Sequence, residues 1–220
     1  MTTLVPSDDM KRSLVELSNK YHQDLMAGAD EVALHYLLKR GFEKETLEYF
    51  KIGIVVDPPV IHSSYKDRIS FPYITANGIV TIRFRRHPNY PDDAKFLSLT
   101  GEEARLFNTR ALLQRNLKRI YICEGETDTM MAHQCGLPAV GVPGVTNWNE
   151  KIWPKIFRDI PVTVLADNDD SGEGQKLAKL IYSSLGGCDI ILMEKGKDVS
   201  EYVSEYGKDQ FLQLVGVVKK

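Results

Sequence analysis

The chain is 220 residues long, 43% hydrophobic and 26% charged, with 28 Lys and Arg against 30 Asp and Glu for a formal net charge of −2. That is globular composition, and the length suits one compact domain or a small domain joined to a larger one, which excludes a multidomain machine. No stretch approaches the ~18 to 20 uninterrupted apolar residues of a membrane span, and Met1 to Met10 lacks a basic segment followed by an apolar run. The expectation is a soluble, cytoplasmic protein with no membrane partner.

In chain order, Ser7 suits an N-cap, and Leu14, Leu17, Tyr21 and Leu25 recur at three- and four-residue steps, the stripe of an amphipathic helix ending near Gly28. Asp30 caps a second predicted helix carrying Leu34, Leu37 and Leu38 and stopped by Gly41, and a short third holds Leu47 and Phe50 before Gly53. Asp57-Pro58-Pro59 suggests a junction. The period then changes. Ile69 to Thr75 and Ile79 to Phe84 flank Asn77-Gly78, a step that favours the positive φ angles of a tight hairpin turn. Lys95 to Leu99 is a further strand candidate and Thr109 to Asn116 a helix.

After Arg119, apolar runs alternate with helical patterns. Strands are expected at Ile120 to Cys123, Ala139 to Val142, Val162 to Ala166 and Ile190 to Met193. Helices are expected at Thr127 to Gln134, Ile152 to Phe157, Gly174 to Leu185, Val199 to Tyr206 and Gln210 to Val215. Strand and helix in alternation predict an α/β fold, a parallel sheet with crossover helices on both faces. The predicted division is 1–118, a helical and hairpin subdomain, and 119–220, the α/β domain.

Cys123, Cys135 and Cys188 are an odd number without C-x-x-C spacing, so cysteine alone builds neither a disulfide framework nor a four-ligand zinc module. Charge is uneven along the chain. Residues 1–120 hold 18 basic and 15 acidic groups, whereas 121–220 hold 10 and 15, and within 66–119 the count is 11 to 5. A basic window beside an acidic half can hold a polyanion against bound metal, or it is a solvated mixed-charge surface.

The acids of the second half follow apolar strands directly. Glu124, Glu126 and Asp128 come after Ile120 to Cys123, Asp167, Asp169 and Asp170 after Val162 to Ala166, and Asp198 after Ile190 to Met193. In an open parallel sheet the carboxyl ends of the strands share one edge, where loops build the ligand site. Converging carboxylates repel unless protons, bases or metal ions balance them. Magnesium is the natural counter-ion, because it takes oxygen ligands and binds through one or two carboxylates plus substrate phosphates, which suits phosphoryl chemistry. Three different roles compete with that one. Asp167-Asn168-Asp169-Asp170-Ser171-Gly172 imitates half of a calcium-binding loop, yet the twelfth position is Ala178 rather than Glu. A D-x-D phosphatase places its motif on the opening strand of the sheet. Helix capping accounts for Thr127 and Asp128 but not for Asp167 and Asp169 together.

Glu124-Gly125-Glu126-Thr127-Asp128, followed about forty residues later by Asp167-x-Asp169 with Gly172 after it, resembles the Toprim fold of bacterial-type primases, topoisomerases and some nucleases. Lys197-Asp198-Val199-Ser200-Glu201 resembles the K-D-x-x-E segment of phage primases. Arg68-Ile69-Ser70-Phe71-Pro72 is similar to the R-I-x-F-P element of the primase RNA polymerase domain, and Lys95-Phe96-Leu97-Ser98 to its K-Y-L-N-S element. Tyr36 through Phe42 and Phe50 through Gly53 resemble its Y-L-x-x-R-G and F-x-I-G stretches. The whole is similar to the polymerase core of DnaG-type DNA primases from about residue 15 to 205.

The resemblance implies a Toprim, Rossmann-like parallel sheet and template-directed synthesis of RNA primers from ribonucleoside triphosphates on single-stranded DNA. It further implies Mg2+ or Mn2+ held or oriented by Glu124, Asp167 and Asp169, with Asp128 and Asp198 either further metal holders or N-caps. Arg68, Arg83, Arg85, Lys95, Arg110 and Lys197 are then candidates for contacting nucleotide or template. Arg83 and Arg85 are two apart on a predicted strand and share a face, while Arg86 points away. The family's lysine before the first Toprim strand is unmatched: Leu106-Phe107 is followed by Asn108 and Thr109, leaving Arg110 as substitute. The zinc module and the helicase segment of full-length primases are not matched, so a replicative helicase or a separate zinc-module protein is the expected partner. A Toprim nuclease and a non-catalytic nucleic-acid-binding subunit of a replication assembly are the rival readings. The five histidines, Trp148 and Trp153 read as packing residues, and Cys123 as a small buried hydrophobe.

Overall fold

The computed structural model describes residues 6–217, so the outer ends of the expected divisions 1–118 and 119–220 lie outside the described residues. These residues form two compact units that part between Glu103 and Ala104. The division comes earlier than expected because residues 104–118 attach to the α/β unit. Phe107 exchanges backbone hydrogen bonds of 2.8 and 3.1 Å with Gly141, and Leu106 and Ala111 join that unit's core.

The first unit starts with three helices, α1 (Asp8–Met26), α2 (Glu31–Lys39) and α3 (Lys44–Phe50). Ser7 caps α1 by accepting from Met10 N at 3.3 Å, and Asp30 caps α2 by accepting from Ala33 N at 2.9 Å. The apolar stripe of α1 buries Leu14, Tyr21 and Leu25. An antiparallel sheet follows in the order β1 (Gly53–Ile54), β2 (Ile69–Thr75), β3 (Gly78–Arg85), β4 (Phe96–Leu97). β1 passes α1 so closely that a Cβ at Gly53 would lie 2.4 Å from the carbonyl carbon of Tyr21, which is why that position has no side chain. Leu14, Tyr21, Val55, Tyr65, Ile82 and Phe84 share one core, with Tyr65 stacked on Phe84 at 4.1 Å.

Several details depart from the sequence reading. The Pro58-Pro59 segment leads into a 3-10 helix, Val60–Tyr65, inside the unit rather than joining two units. In the hairpin, Gly78 takes φ 95° while Asn77 keeps a negative φ, and the pairing slips between Tyr73 and Ile74. A two-residue loop closed by a positive-φ glycine and a bulge therefore replaces a turn with two positive angles. The strand expected over Lys95 to Leu99 is two residues long, and the helix expected over Thr109 to Asn116 is the 3-10 turn Thr109–Leu113.

The second unit is a parallel sheet of β5 (Ile120–Cys123), β6 (Ala139–Gly141), β7 (Val162–Ala166) and β8 (Asp189–Leu192), in the order β6-β5-β7-β8. Its helices are α4 (Glu126–Gln134), α5 (Trp153–Ile156), α6 (Glu173–Leu185) and α7 (Val199–Leu214). Gly207, at φ 83°, kinks α7 into the two helical pieces the sequence suggests. Strand residues alternate sides. Ile120 and Ile122 pack with Trp153, Phe157, Leu177 and Ile181 of α5, α6 and the turn between α5 and β7, whereas Cys123 faces Thr129 of α4, on which α7 packs. Both faces are thus covered, as a parallel sheet requires. Among the described residues no helix is long and apolar enough to cross a membrane.

Candidate active site

β5 and β7 are parallel neighbours, with Cys123 level with Leu165. β6 lies on the other side of β5 and β8 beyond β7, so the winding reverses between the two central strands. Ligands of such sheets bind in the crevice at that reversal. Glu124 leaves β5 and Asp167 leaves β7 at this point. Their convergence is visible through Gly174, in the first turn of α6. A Cβ there would sit 2.7 Å from Glu124 Oε2, and 2.6 and 3.0 Å from the backbone O and N of Asp167. The Glu124 carboxylate and the backbone of Asp167, more than forty residues apart in sequence, are therefore neighbours at the N-terminus of a 13-residue helix, whose positive dipole end favours the Glu124 charge. Burial pushes the Cys123 thiol well above its ordinary value, and the charges of Asp128, Asp167 and Asp198 push it further.

The remaining acids have visible structural work. Asp128 is buried and accepts from Ser200 N at 3.1 Å and Ser200 Oγ at 3.0 Å, tying α4 to the first turn of α7. Asp198 is the N-cap of α7, accepting from Glu201 N at 2.7 Å in a reciprocal capping box. Asp169 is exposed, and its Oδ1 accepts from Ser171 N and Oγ at 3.0 and 2.6 Å. Among the described residues no three His, Cys, Asp or Glu side chains gather at metal-ligating spacing. Glu124 and Asp167 converge, Asp128 and Asp198 flank α7, and Asp169 turns to the loop.

The sequence reading missed the residues that organise this rim. Asn168, between the two acids of Asp167-x-Asp169, bonds to the β8–α7 loop and to Gln175 of α6. Ser200 holds Asp128. For Gly174 a signal existed: a second glycine two residues after Gly172, inside a helix that does not need one.

Among the bases, Arg68 is buried and donates to Ala94 O at 3.0 Å and Asp93 Oδ2 at 2.9 Å, so it fastens the loop before β4. Arg83 and Arg85 do share a face: their guanidinium carbons lie 4.8 and 5.4 Å from the Phe96 ring centroid. Arg85 is 7% exposed and donates to Tyr36 Oη at 2.8 Å, with no carboxylate partner among the described residues. Burial alone would raise the Tyr36 phenol, but the charges and hydrogen bonds of Arg85 and Arg40 more than offset it and leave it below its ordinary value. Lys95 is exposed. In the second unit, Arg110 is half-buried beside His133, and Lys197 donates to Glu194 at 3.2 Å and lies 3.3 Å from Tyr206 Oη. Asn108, which follows Leu106-Phe107, adopts φ 57° and spends its amide on Ala139 O. A cavity of about 620 Å³ lined by Lys155, Phe157, Arg158, Tyr182 and Asp189 lies at the opposite, amino-terminal edge of β7 and β8, away from the acids.

A reversal-point crevice with a Glu after one central strand and an Asp-x-Asp after the next defines a Toprim-type unit. No family model matches the chain. The Gene 57 protein of Mycobacterium phage D29 is 34% identical over 158 residues, covering 69% of this chain and 99% of that protein. A DNA primase of Enterococcus faecalis is 25% identical across 95% of this chain, which spans 41% of that primase's length. Among solved structures, the RNA polymerase domain of Mycobacterium tuberculosis primase DnaG matches with a TM-score of 0.78 at 18% identity, over 96% of this chain and 83% of that one. A DnaG primase catalytic domain bound to ssDNA matches with a TM-score of 0.75 at 20% identity, over 94% and 80%. The chain belongs to the same family as the phage D29 Gene 57 protein and has the fold of the DnaG primase catalytic core.

Proposed function

We propose that this chain synthesises RNA primers, joining ribonucleotides on a single-stranded DNA template. In each step a terminal 3′-hydroxyl oxygen bonds to the α-phosphorus of an incoming ribonucleoside triphosphate, the bond to the β-phosphate oxygen breaks, and pyrophosphate leaves with the electron pair. The observation that carries this reading is the convergence of Glu124 and Asp167 at the sheet's reversal point.

The donor set fits a hard divalent cation. Glu124 and Asp167 offer only oxygen, and one or two carboxylates completed by water and substrate phosphates is how Mg2+ is ordinarily bound, so a three-residue cage is not required. When present, Mg2+ or Mn2+ lowers the pKa of the attacking hydroxyl and stabilises the leaving oxygen. Glu124 and Asp167 would hold such an ion, and Asp169 would orient it directly or through water. Asp128 and Asp198 fix α7 and add negative charge to the rim. Arg85, a buried cation without a carboxylate, suits a phosphate of the nucleotide or template, with Arg83 beside it. Lys95, Arg110 and Lys197 are further phosphate contacts, whereas Arg68 supports the loop that ends at Lys95. A replicative helicase or a zinc-module protein is the partner this activity would call for.

The test is incubation with single-stranded template, ribonucleotides and Mg2+. New oligoribonucleotides, lost in Asp167→Ala, are expected. Shortened template without them would replace this reading with a nuclease, and undiminished synthesis by Asp167→Ala would remove the acids from the chemistry.

A further inference from the structure

Asn168 has an unusually complete set of partners for a residue lodged between two site acids. Its backbone N donates to Lys197 O at 3.2 Å and its backbone O accepts from Gly196 N at 2.7 Å. Its side-chain Nδ2 donates to Met193 O at 2.9 Å, and its Oδ1 accepts from Gln175 Nε2 at 2.7 Å. Three of these four bonds reach the β8–α7 loop, which carries Lys197 and Asp198, and the fourth reaches the first turn of α6. That same turn meets Glu124 and Asp167 through Gly174. One neutral amide thus fastens together the loop of Asp167 and Asp169, the loop of Asp198 and the helix end that crowds Glu124.

We infer that Asn168, braced by Gln175, is a positioning residue that presets the carboxylates for a divalent cation. The inference rests on the reading of the acids as a cation site given above. The chemistry favours an amide here. Leucine would fill similar space and keep the two backbone bonds, but leave Met193 O and Gln175 Nε2 unmatched, loosening the hold of α6 on the two loops. Aspartate would lose the donor and add charge to a rim already rich in it. Groups that orient metal-binding carboxylates from behind are worth about 10- to 100-fold in metal affinity.

The test uses the full chain and Mn2+ alone, with affinity read from the free-ion electron paramagnetic resonance signal and folding from thermal melts without metal. Asn168→Leu and Gln175→Met are each expected to weaken Mn2+ binding by about 10-fold or more, with the double variant little worse than Asn168→Leu, because both break one arrangement. Gln175→Met keeps the test decisive should Asn168→Leu fold poorly. Parent-like Mn2+ affinity in a folded variant overturns the inference and leaves primer synthesis standing. Loss of primer synthesis in the parent with the variant effect on Mn2+ intact overturns the proposed function and supports the inference. A parent that binds no Mn2+ overturns both.

Discussion

Adding one methyl group at Gly174 tests the site at its tightest point. The new Cβ would stand 2.6 Å from the carbonyl oxygen of Asp167 and 2.7 Å from Glu124 Oε2. Carbon and carbonyl oxygen ordinarily meet at about 3.3 Å or more, so the backbone of the acid loop must give by roughly 0.7 Å. The Glu124 carboxylate can swing away, but the Asp167 backbone is held at both sides by β7 and by Asn168, so the loop itself carries the strain. Two energies oppose each other. Crowding a well-packed site costs about 1–3 kcal/mol, while replacing glycine by alanine inside a helix returns about 1 kcal/mol. Gly174→Ala is therefore expected to lose only about 0–2 kcal/mol of stability, a modest drop in melting temperature. Catalysis should suffer far more, because misplacing reacting groups by about 1 Å costs on the order of 100-fold. Thermal melts beside a primer-synthesis assay check both halves. A folded Gly174→Ala with near-parent synthesis would show that the Glu124–Asp167 meeting point does not set the rate.

Arg85→Met should leave the melting temperature unchanged or raise it, since it removes the desolvation cost of a buried charge that no carboxylate balances. Template affinity should fall and its salt dependence should drop by about one ion. A markedly less stable variant with unaltered salt dependence would make Arg85 a structural residue only. Asp198→Ala should cost about 0.5–2 kcal/mol through the lost cap of α7, whereas Asp198→Asn, an equally good cap, should keep both stability and synthesis. Loss of synthesis in Asp198→Asn at full stability would give that carboxylate a direct part in the chemistry. Burial lowers the pKa of His62, and burial together with the charge of Arg110 lowers that of His133. The unfolded chain then takes up protons the fold refuses, so stability is complete above the ordinary histidine value of 6.5 and declines as pH falls below it. Melting temperatures across that range should show the decline and His62→Gln should make it shallower, leaving the share of His133; a level profile in the parent would refute the assignment.

Much of this architecture was legible because it rests on local pattern. Every strand of the parallel sheet was anticipated to within about one residue, since apolar runs bounded by Gly, Pro and acids mark buried strands well. That the segments of Glu124 and Asp167 leave neighbouring strand ends was legible too, because strand ends of a parallel sheet share a rim. What escaped notice depends on partners distant in sequence or on elements too short to show a period. β1 has two residues, and the 3-10 turn after Pro59 carries Val60 and Ile61 in the open at 91% and 76% exposure, which no burial pattern reveals. Arg68 read as a ligand contact from its motif, yet Asp93 lies 25 residues away and claims it. Asn168 is one unassigned position between two acids in the sequence, and only the fold brings Met193 and Gln175 to its two ends.

The reversal of winding between β5 and β7 also dictates when the centre can exist. The two strands lie side by side, yet β6 and α5 intervene along the chain, so their pairing closes a long loop, the kind of contact that forms late. A nascent chain can complete the first unit, α4 and β6 without owning any part of a working centre. Glu124 gains its counterpart only when β7 docks against β5, and α6 then brings Gly174 into place. Activity should accordingly emerge in step with the last cooperative phase of folding, and a partly folded chain will hold no weakened version of the site.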